Sequence, residues 1–315
     1  MLINKFSIIS FLKDDVNIIG RYADVLNQTY TRFLDIQKAE AQAKDALIEA
    51  ALEKVRSRSL AMHKSDELGE VIALVVERLN ELGFYVDDGV ALITFTEGTK
   101  DLVEWMANPG FDSATNFKLP HFDHPVLNNI WQAREKHNEF VFNRFSSEEN
   151  QSFLKHIFKY SDFKNTPEDV KKYCLAADTY ATSMAIQKNT AIFINDYSGK
   201  DLTLLEIDIL KRFSKVFEQA YTRFLDLQKA EAQVREAQIE AALDRIRARS
   251  MAMHSSDELV EASDVMISEL NNLNINALRV GICTIDAKSG SSKIWSRSEV
   301  KGKLENKILG IVPKG

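Results

Sequence analysis

The sequence predicts an α+β protein: an antiparallel sheet flanked by helices and joined to its neighbours by long coiled-coil-type linker helices. Three observations predict it. One segment of the chain occurs twice; each copy is Pro-free and rich in Ala, Glu, Gln, Lys and Arg; and between the copies the helical hydrophobic period gives way to the short apolar runs of strands. A chain of 315 residues that is 45% hydrophobic and 27% charged with 5 Pro is globular in composition and long enough for about two domains.

The duplication sets the organisation. Tyr30-Thr-Arg-Phe-Leu-Asp-Ile-Gln-Lys-Ala-Glu-Ala-Gln42 recurs, with one change, as Tyr221 to Gln233, 191 residues on, and 28 of the 39 positions from Tyr30 to Leu68 are identical in the two copies. Carried outward, the same shift lays Ile3, Asn4 and Ser7 on Ile194, Asn195 and Ser198, and Leu278 to Pro313 on about Asp87 to Phe122. The expected domains are the C-terminal end of a preceding unit (1–29), a linker helix (30–64), one complete domain (65–220), a second linker helix (221–255) and the N-terminal half of a further unit (256–315).

From Val16 to Met62 there is no Pro and one Gly, which predicts a single helix about 65 Å long. Leu34, Ala41, Ile48, Leu52, Val55, Ser59 and Met62 follow coiled-coil spacing, as do Leu225, Ala232, Ile239, Leu243, Ile246, Ser250 and Met253 in the second copy. This stripe is expected to be the seam of a homodimer; the alternative is that it packs on the chain's own domain. Ser65 and Ser256, each followed by Asp-Glu, are expected to cap a new helix, whose first copy runs to about Leu82 and stops at Gly83. Val90–Phe95 and Leu102–Ala107 read as strands joined through Glu97-Gly-Thr. Asp123–Lys136 reads as a helix with Asp123 as its N-cap, Glu139–Asn143 as a strand, and Ser146–Tyr160 and Pro167–Ala177 as helices. Thr182–Ile186 and Thr190–Ile194 read as paired strands, and a helix from about Leu202 continues into the second linker.

Ser183-Met-Ala-Ile186, the hairpin through Asn189 and Leu204-Leu-Glu-Ile-Asp-Ile-Leu-Lys-Arg-Phe213 resemble the end of a GAF domain. The duplicated phrases, Phe217 to Gln233 and Glu240 to His254, are similar to linkers in bacterial multidomain sensor proteins of the histidine kinase type. The resemblance implies a sensory and transmission segment in signal transduction, relaying through dimeric helices to an output module. A ligand-free dimerisation scaffold is the alternative. In place of the cyclic-nucleotide signature of such domains stand Gln187-Lys188-Asn189 and Leu205-Glu-Ile-Asp208, and neither Cys174 nor Cys283 is followed by the His of bilin-attaching relatives. No cofactor is expected.

Trp105, Met106, Phe117 and Trp131 fall where the sheet and its covering loops could enclose a ligand pocket, with plain core packing as the competing reading. His121 and His124, with His137 or Asp123, are weighed as a metal or haem site against a solvated loop, and the loop is preferred. His63 and His254 lack the Arg-x-Pro of a phosphoacceptor and are assigned to the helix break. Arg56, Arg58, Arg245, Arg247 and Arg249 have acidic neighbours at helical spacing, which suits an ion-paired face. No phosphate-binding loop, nucleophile elbow or zinc-protease motif occurs, so no enzymatic activity is expected. A net charge of -6 does not favour nucleic acid or an anionic membrane as partner. No apolar run approaches 18 residues, Met1–Leu12 lacks a basic start and a cleavage site, and the two cysteines are far apart. The expected location is the cytoplasm.

Overall fold

Residues 12–84, 90–107, 114–197, 201–255, 258–275, 279–285, 292–300 and 303–312 are described by the computed structural model. The chain divides into two compact units, Met1–Asp226 and Leu227–Gly315. In the first, helix α1 (Lys13–Leu60) is a single rod of 48 residues, about 70 Å long at the α-helical rise. Glu67 marks the break after it. Its carboxylate accepts the backbone N–H groups of His63 and Lys64, both at 3.0 Å, and Arg58 reaches Glu67 at 2.9 Å and Glu70 at 2.5 Å. Glu67 thus ties the break together, its carboxylate taking two amides that precede the turn at once. A 3-10 turn, Ser65–Glu67, leads into α2 (Leu68–Glu81), and Gly83 at φ +92° closes it.

The sheet comprises β1 (Val90–Phe95), β2 (Leu102–Met106), β3 (Thr115–Leu119), β4 (Phe140–Ser146), β5 (Thr179–Ile186) and β6 (Thr190–Asp196), all antiparallel in the order β3-β2-β1-β6-β5-β4. β1 and β6 are central and buried on both faces, which is why their sequences are continuous apolar runs. One face, with Ala91, Ile93, Phe193 and Met184, packs under α3 (Pro125–Glu135), α4 (Ser147–Tyr160) and α5 (Glu168–Leu175). The other carries Thr94, which bonds Tyr221 of α6 (Leu204–Met251), and α2 packs on β1 and β2. An antiparallel sheet between two helical layers, with a long helix leaving it, is compatible with a GAF-like fold. β3 is unexpected, since Thr-Asn-Phe-Lys-Leu is half polar; as an edge strand it needs only Phe117 and Leu119 on the buried face.

The stripe expected to form a dimer seam does not behave as one surface. In the first copy Ile48, Leu52, Val55 and Met62 are at most 1% exposed within their own unit, so the alternative of packing on the chain's own domain holds for these four. α1 lies against α2, and Arg212 of α6 grips Asp45, at 2.7 Å, and Glu49 of α1. Leu34, Leu225 and Leu243 are exposed, and Ile239, Ile246 and Met253 are half-buried. Leu52→Ala is therefore expected to cost about 2–5 kcal/mol in urea unfolding. Leu243→Ala, the same substitution 191 residues later, should cost no more than about 1 kcal/mol; equal losses would restore a shared seam.

The second unit repeats the break. His254 N–H donates to Glu258 at 3.2 Å and Arg249 bonds Glu258 and Glu261. α7 (Leu259–Asn272) follows, closed by Asn274 at φ +59°, the counterpart of Gly83. Ser256, the second expected cap, lies outside the described residues. Strands β7 (Arg279–Ile285), β8 (Ser292–Val300) and β9 (Lys303–Val312) form an antiparallel sheet in that order, where the shift of 191 places β1 to β3.

Candidate ligand cavity

Strand alternation builds the cavity floor. Leu102, Glu104 and Met106 share one face of β2, and the register sets Glu104 between Ile93 of β1 and Phe117 of β3. Above them Phe153 and Ile157 of α4, Phe163, and Val170 and Cys174 of α5 enclose a space of about 450 Å³, large enough for a small-molecule ligand. Phe117 stacks on Phe163 at 4.9 Å. At the other end Tyr180 Oη donates to Asn195 Oδ1 at 2.6 Å, and Tyr197 stacks on Tyr180 at 5.0 Å.

Among the described lining residues Glu104 is the one carboxylate. The residue is half-buried, and desolvation pushes its pKa up to about 7. Among the described residues none donates a hydrogen bond to it or forms an ion pair with it. A carboxylate so placed presents an unused acceptor to whatever enters.

Of the four residues expected at a pocket, Met106 and Phe117 line the cavity and the two tryptophans do not. Trp105, one residue out of phase, lies on the opposite face, where its Nε1 donates to Thr94 Oγ1 at 3.2 Å. Trp131 is buried edge-on to Phe95 at 5.3 Å and donates to the carbonyl of Lys100 at 3.0 Å, which is core packing. Glu104, Tyr180 and Asn195 were not singled out from the sequence. The available signal was the alternation Leu102-x-Glu104-x-Met106, a lone acid on the apolar phase of a strand.

His124, not Asp123, caps α3: its Nδ1 accepts the Val126 N–H at 3.3 Å, and burial holds its pKa below the ordinary imidazole value. It is buried rather than solvated, because Pro125 at the first helical position leaves Val126 as the amide to be capped. Asp123 instead accepts from Asn128 Nδ2 at 2.7 Å. His121 donates its N–H to Asp101, and His137 ends α3 at φ +55°. Among the described residues no group of three His, Cys, Asp or Glu is placed to hold a metal. The linker arginines face acids: Arg56 meets Glu49 and Glu53, Arg247 meets Glu240 and Asp244, and Arg245 meets Glu269.

No family model matches the chain, and no curated protein matches it in sequence. Among solved structures, the crystal structure of a bacteriophytochrome from the photosynthetic bacterium R. palustris is similar at 10% identity with a TM-score of 0.38, over 77% of this chain and 48% of that chain. This chain spans about half the length of that structure. No helix among the described residues is long and apolar enough to cross a membrane.

Proposed function

We propose that residues 65–220 form a non-catalytic sensory domain whose cavity takes a small, largely apolar molecule carrying a hydrogen-bond donor, best a protonated amine, and whose occupancy is relayed to α6. The observation that carries this reading is the apolar cavity with one unpartnered carboxylate. The described lining residues are mostly apolar with few polar groups, a set suited to recognition of a small molecule. A cationic ligand would ionise Glu104 and replace its lost solvation with a charge-assisted hydrogen bond.

A continuous set of contacts supports the relay. Arg134 of α3 lies over Phe95 and Trp131, at 4.7 and 5.1 Å, and its Nε donates to the carbonyl of Lys188 in the β5–β6 hairpin at 2.9 Å. The next residue, Asn189, accepts from Phe95 N–H at 2.8 Å and is held by Glu218 of α6. Movement of the helices over the cavity therefore reaches the hairpin that grips the outgoing helix. In the reading implied by the sensor resemblance, α6 passes this bias to an output module of a signalling protein.

The test is thermal shift with matched probes. Phenethylamine is expected to raise the melting temperature and 3-phenylpropionate to leave it unchanged, with the amine effect larger at pH 8 than at pH 6 and absent in Glu104→Gln. No response to any apolar amine would favour the scaffold reading. The ligand-free protein supplies a second readout. Because the folded-state pKa of Glu104 lies above its unfolded value, the folded state holds the extra proton between about pH 4.5 and 7. Stability falls across that window as pH rises, by roughly 1–3 kcal/mol, and levels off above it. Glu104→Gln should flatten this slope in urea unfolding measured from pH 5 to 8.

A further inference from the structure

The cavity has a second polar end. Tyr180 of β5 is 2% exposed, its ring stacked on Tyr197 at 5.0 Å and on Phe145 at 5.8 Å, so its hydroxyl is held in place. That hydroxyl donates to Asn195 Oδ1 at 2.6 Å. With Oδ1 turned to Tyr180, the two N–H donors of Nδ2 are turned away from it. Among the described residues Asn195 Nδ2 donates to no partner. Asn195 lines the cavity, as Glu104 does, so one space holds an unused acceptor and an unused donor.

Strand register sets how far apart they lie. Glu104, Ile93 and Ala191 are level on β2, β1 and β6, and Asn195 is four residues beyond Ala191 on the same strand. Two strand spacings across and four residues along separate the Glu104 and Asn195 Cα atoms by about 16 Å. Once two side chains and two hydrogen bonds are subtracted, about 10 Å is left for a ligand to bridge. The surface between is apolar, with Met106 and Phe193 on the floor and Phe153 and Ile157 above. The further polar lining residues Asn165 and Thr166 follow Phe163, which stacks on Phe117 beside Glu104.

We propose that the ligand is bipolar: an elongated apolar amine with a carbonyl oxygen about 10 Å from its nitrogen, the ammonium on Glu104 and the carbonyl accepting from Asn195 Nδ2. This assignment, which rests on Glu104 holding an amine, adds a length and a far-end acceptor to the ligand. A plain alkyl amine satisfies Glu104 but leaves the Asn195 donor covered and unpaired, and so forfeits that hydrogen bond.

Isothermal titration calorimetry on the full chain at pH 7 tests this with octylamine, 8-aminooctanamide and 1,8-diaminooctane. Extended, 8-aminooctanamide sets its carbonyl about 10 Å from its amine. Octylamine and 8-aminooctanamide are both expected to bind, and both to weaken tenfold or more in Glu104→Gln. Asn195→Leu should weaken 8-aminooctanamide about fivefold, the worth of one net hydrogen bond, and leave octylamine as tight or tighter. Asn195→Asp keeps the volume and the acceptor for Tyr180 but exchanges the donor for a carboxylate. It should weaken 8-aminooctanamide and strengthen 1,8-diaminooctane, each by about tenfold, because the second ammonium then meets an acid at the far end. The short 4-aminobutanamide should be indifferent to both Asn195 substitutions. Octylamine binding that depends on Glu104, with 8-aminooctanamide and 1,8-diaminooctane blind to Asn195, would overturn the bipolar assignment and leave the amine site standing. Absence of Glu104-dependent binding for all of these amines would overturn both.

Discussion

Phe213→Ala is expected to lower the unfolding free energy by about 3–5 kcal/mol, while Tyr22→Ala, at the equivalent place in the first copy, should lower it by no more than about 0.5 kcal/mol. Phe213 is fully buried beneath the sheet and Tyr22 is 67% exposed. Truncating Phe213 leaves a cavity among neighbours that the sheet and α1 hold in place, so the loss includes both the transfer term and the void. Urea unfolding measures the difference. A large loss at Tyr22 would mean that α1 is already covered within a single copy.

The second large effect is at Glu218. Its carboxylate accepts Asn189 N–H at 3.1 and 3.2 Å, Asn189 Nδ2 at 2.9 Å and Thr190 Oγ1 at 2.8 Å, and Thr190 is fully buried. Glu218→Ala leaves these donors without their acceptor and should cost about 2–4 kcal/mol. Glu218→Gln, which keeps one acceptor oxygen, should lose less. If the hairpin is the relay, Glu218→Ala will still respond to phenethylamine by thermal shift, but ligand-dependent protection of the α6 amides in hydrogen exchange will be gone. Retained protection would exclude the hairpin as the route.

How much of this was legible depended on the range of the force involved. Both long helices follow from composition and the absence of breakers, and both ends of the central hairpin from apolar runs around Gln187-Lys-Asn189. Those signals act within one or two turns. The break after α1 was legible as a place, but not the way Glu67, held by Arg58 nine residues back on the preceding helix, takes the amides of His63 and Lys64. β3 was hidden because an edge strand requires little apolar sequence. In the cavity, aromatic residues drew attention to Trp105 and Trp131, while strand phase, a property of pairing, assigned Trp105 to the other face and Glu104 to the floor.

The sequence by itself determined the duplication, the two helical rods, their breaks and the strands between them other than β3, because hydrophobic period, helix propensity and turn chemistry are encoded within a few residues. Only the tertiary structure decided which copy of an almost identical helix is core and which is surface. Leu52 and Leu243 lie in the same Ile-Glu-Ala-Ala-Leu phrase, and Tyr30 and Tyr221 in the same Tyr-Thr-Arg-Phe-Leu-Asp phrase, yet one of each pair is buried and the other exposed. Burial is not a property of the helix. It is conferred by what packs against it, and in the first unit that is a sheet assembled from residues 90–196, far from either copy in sequence.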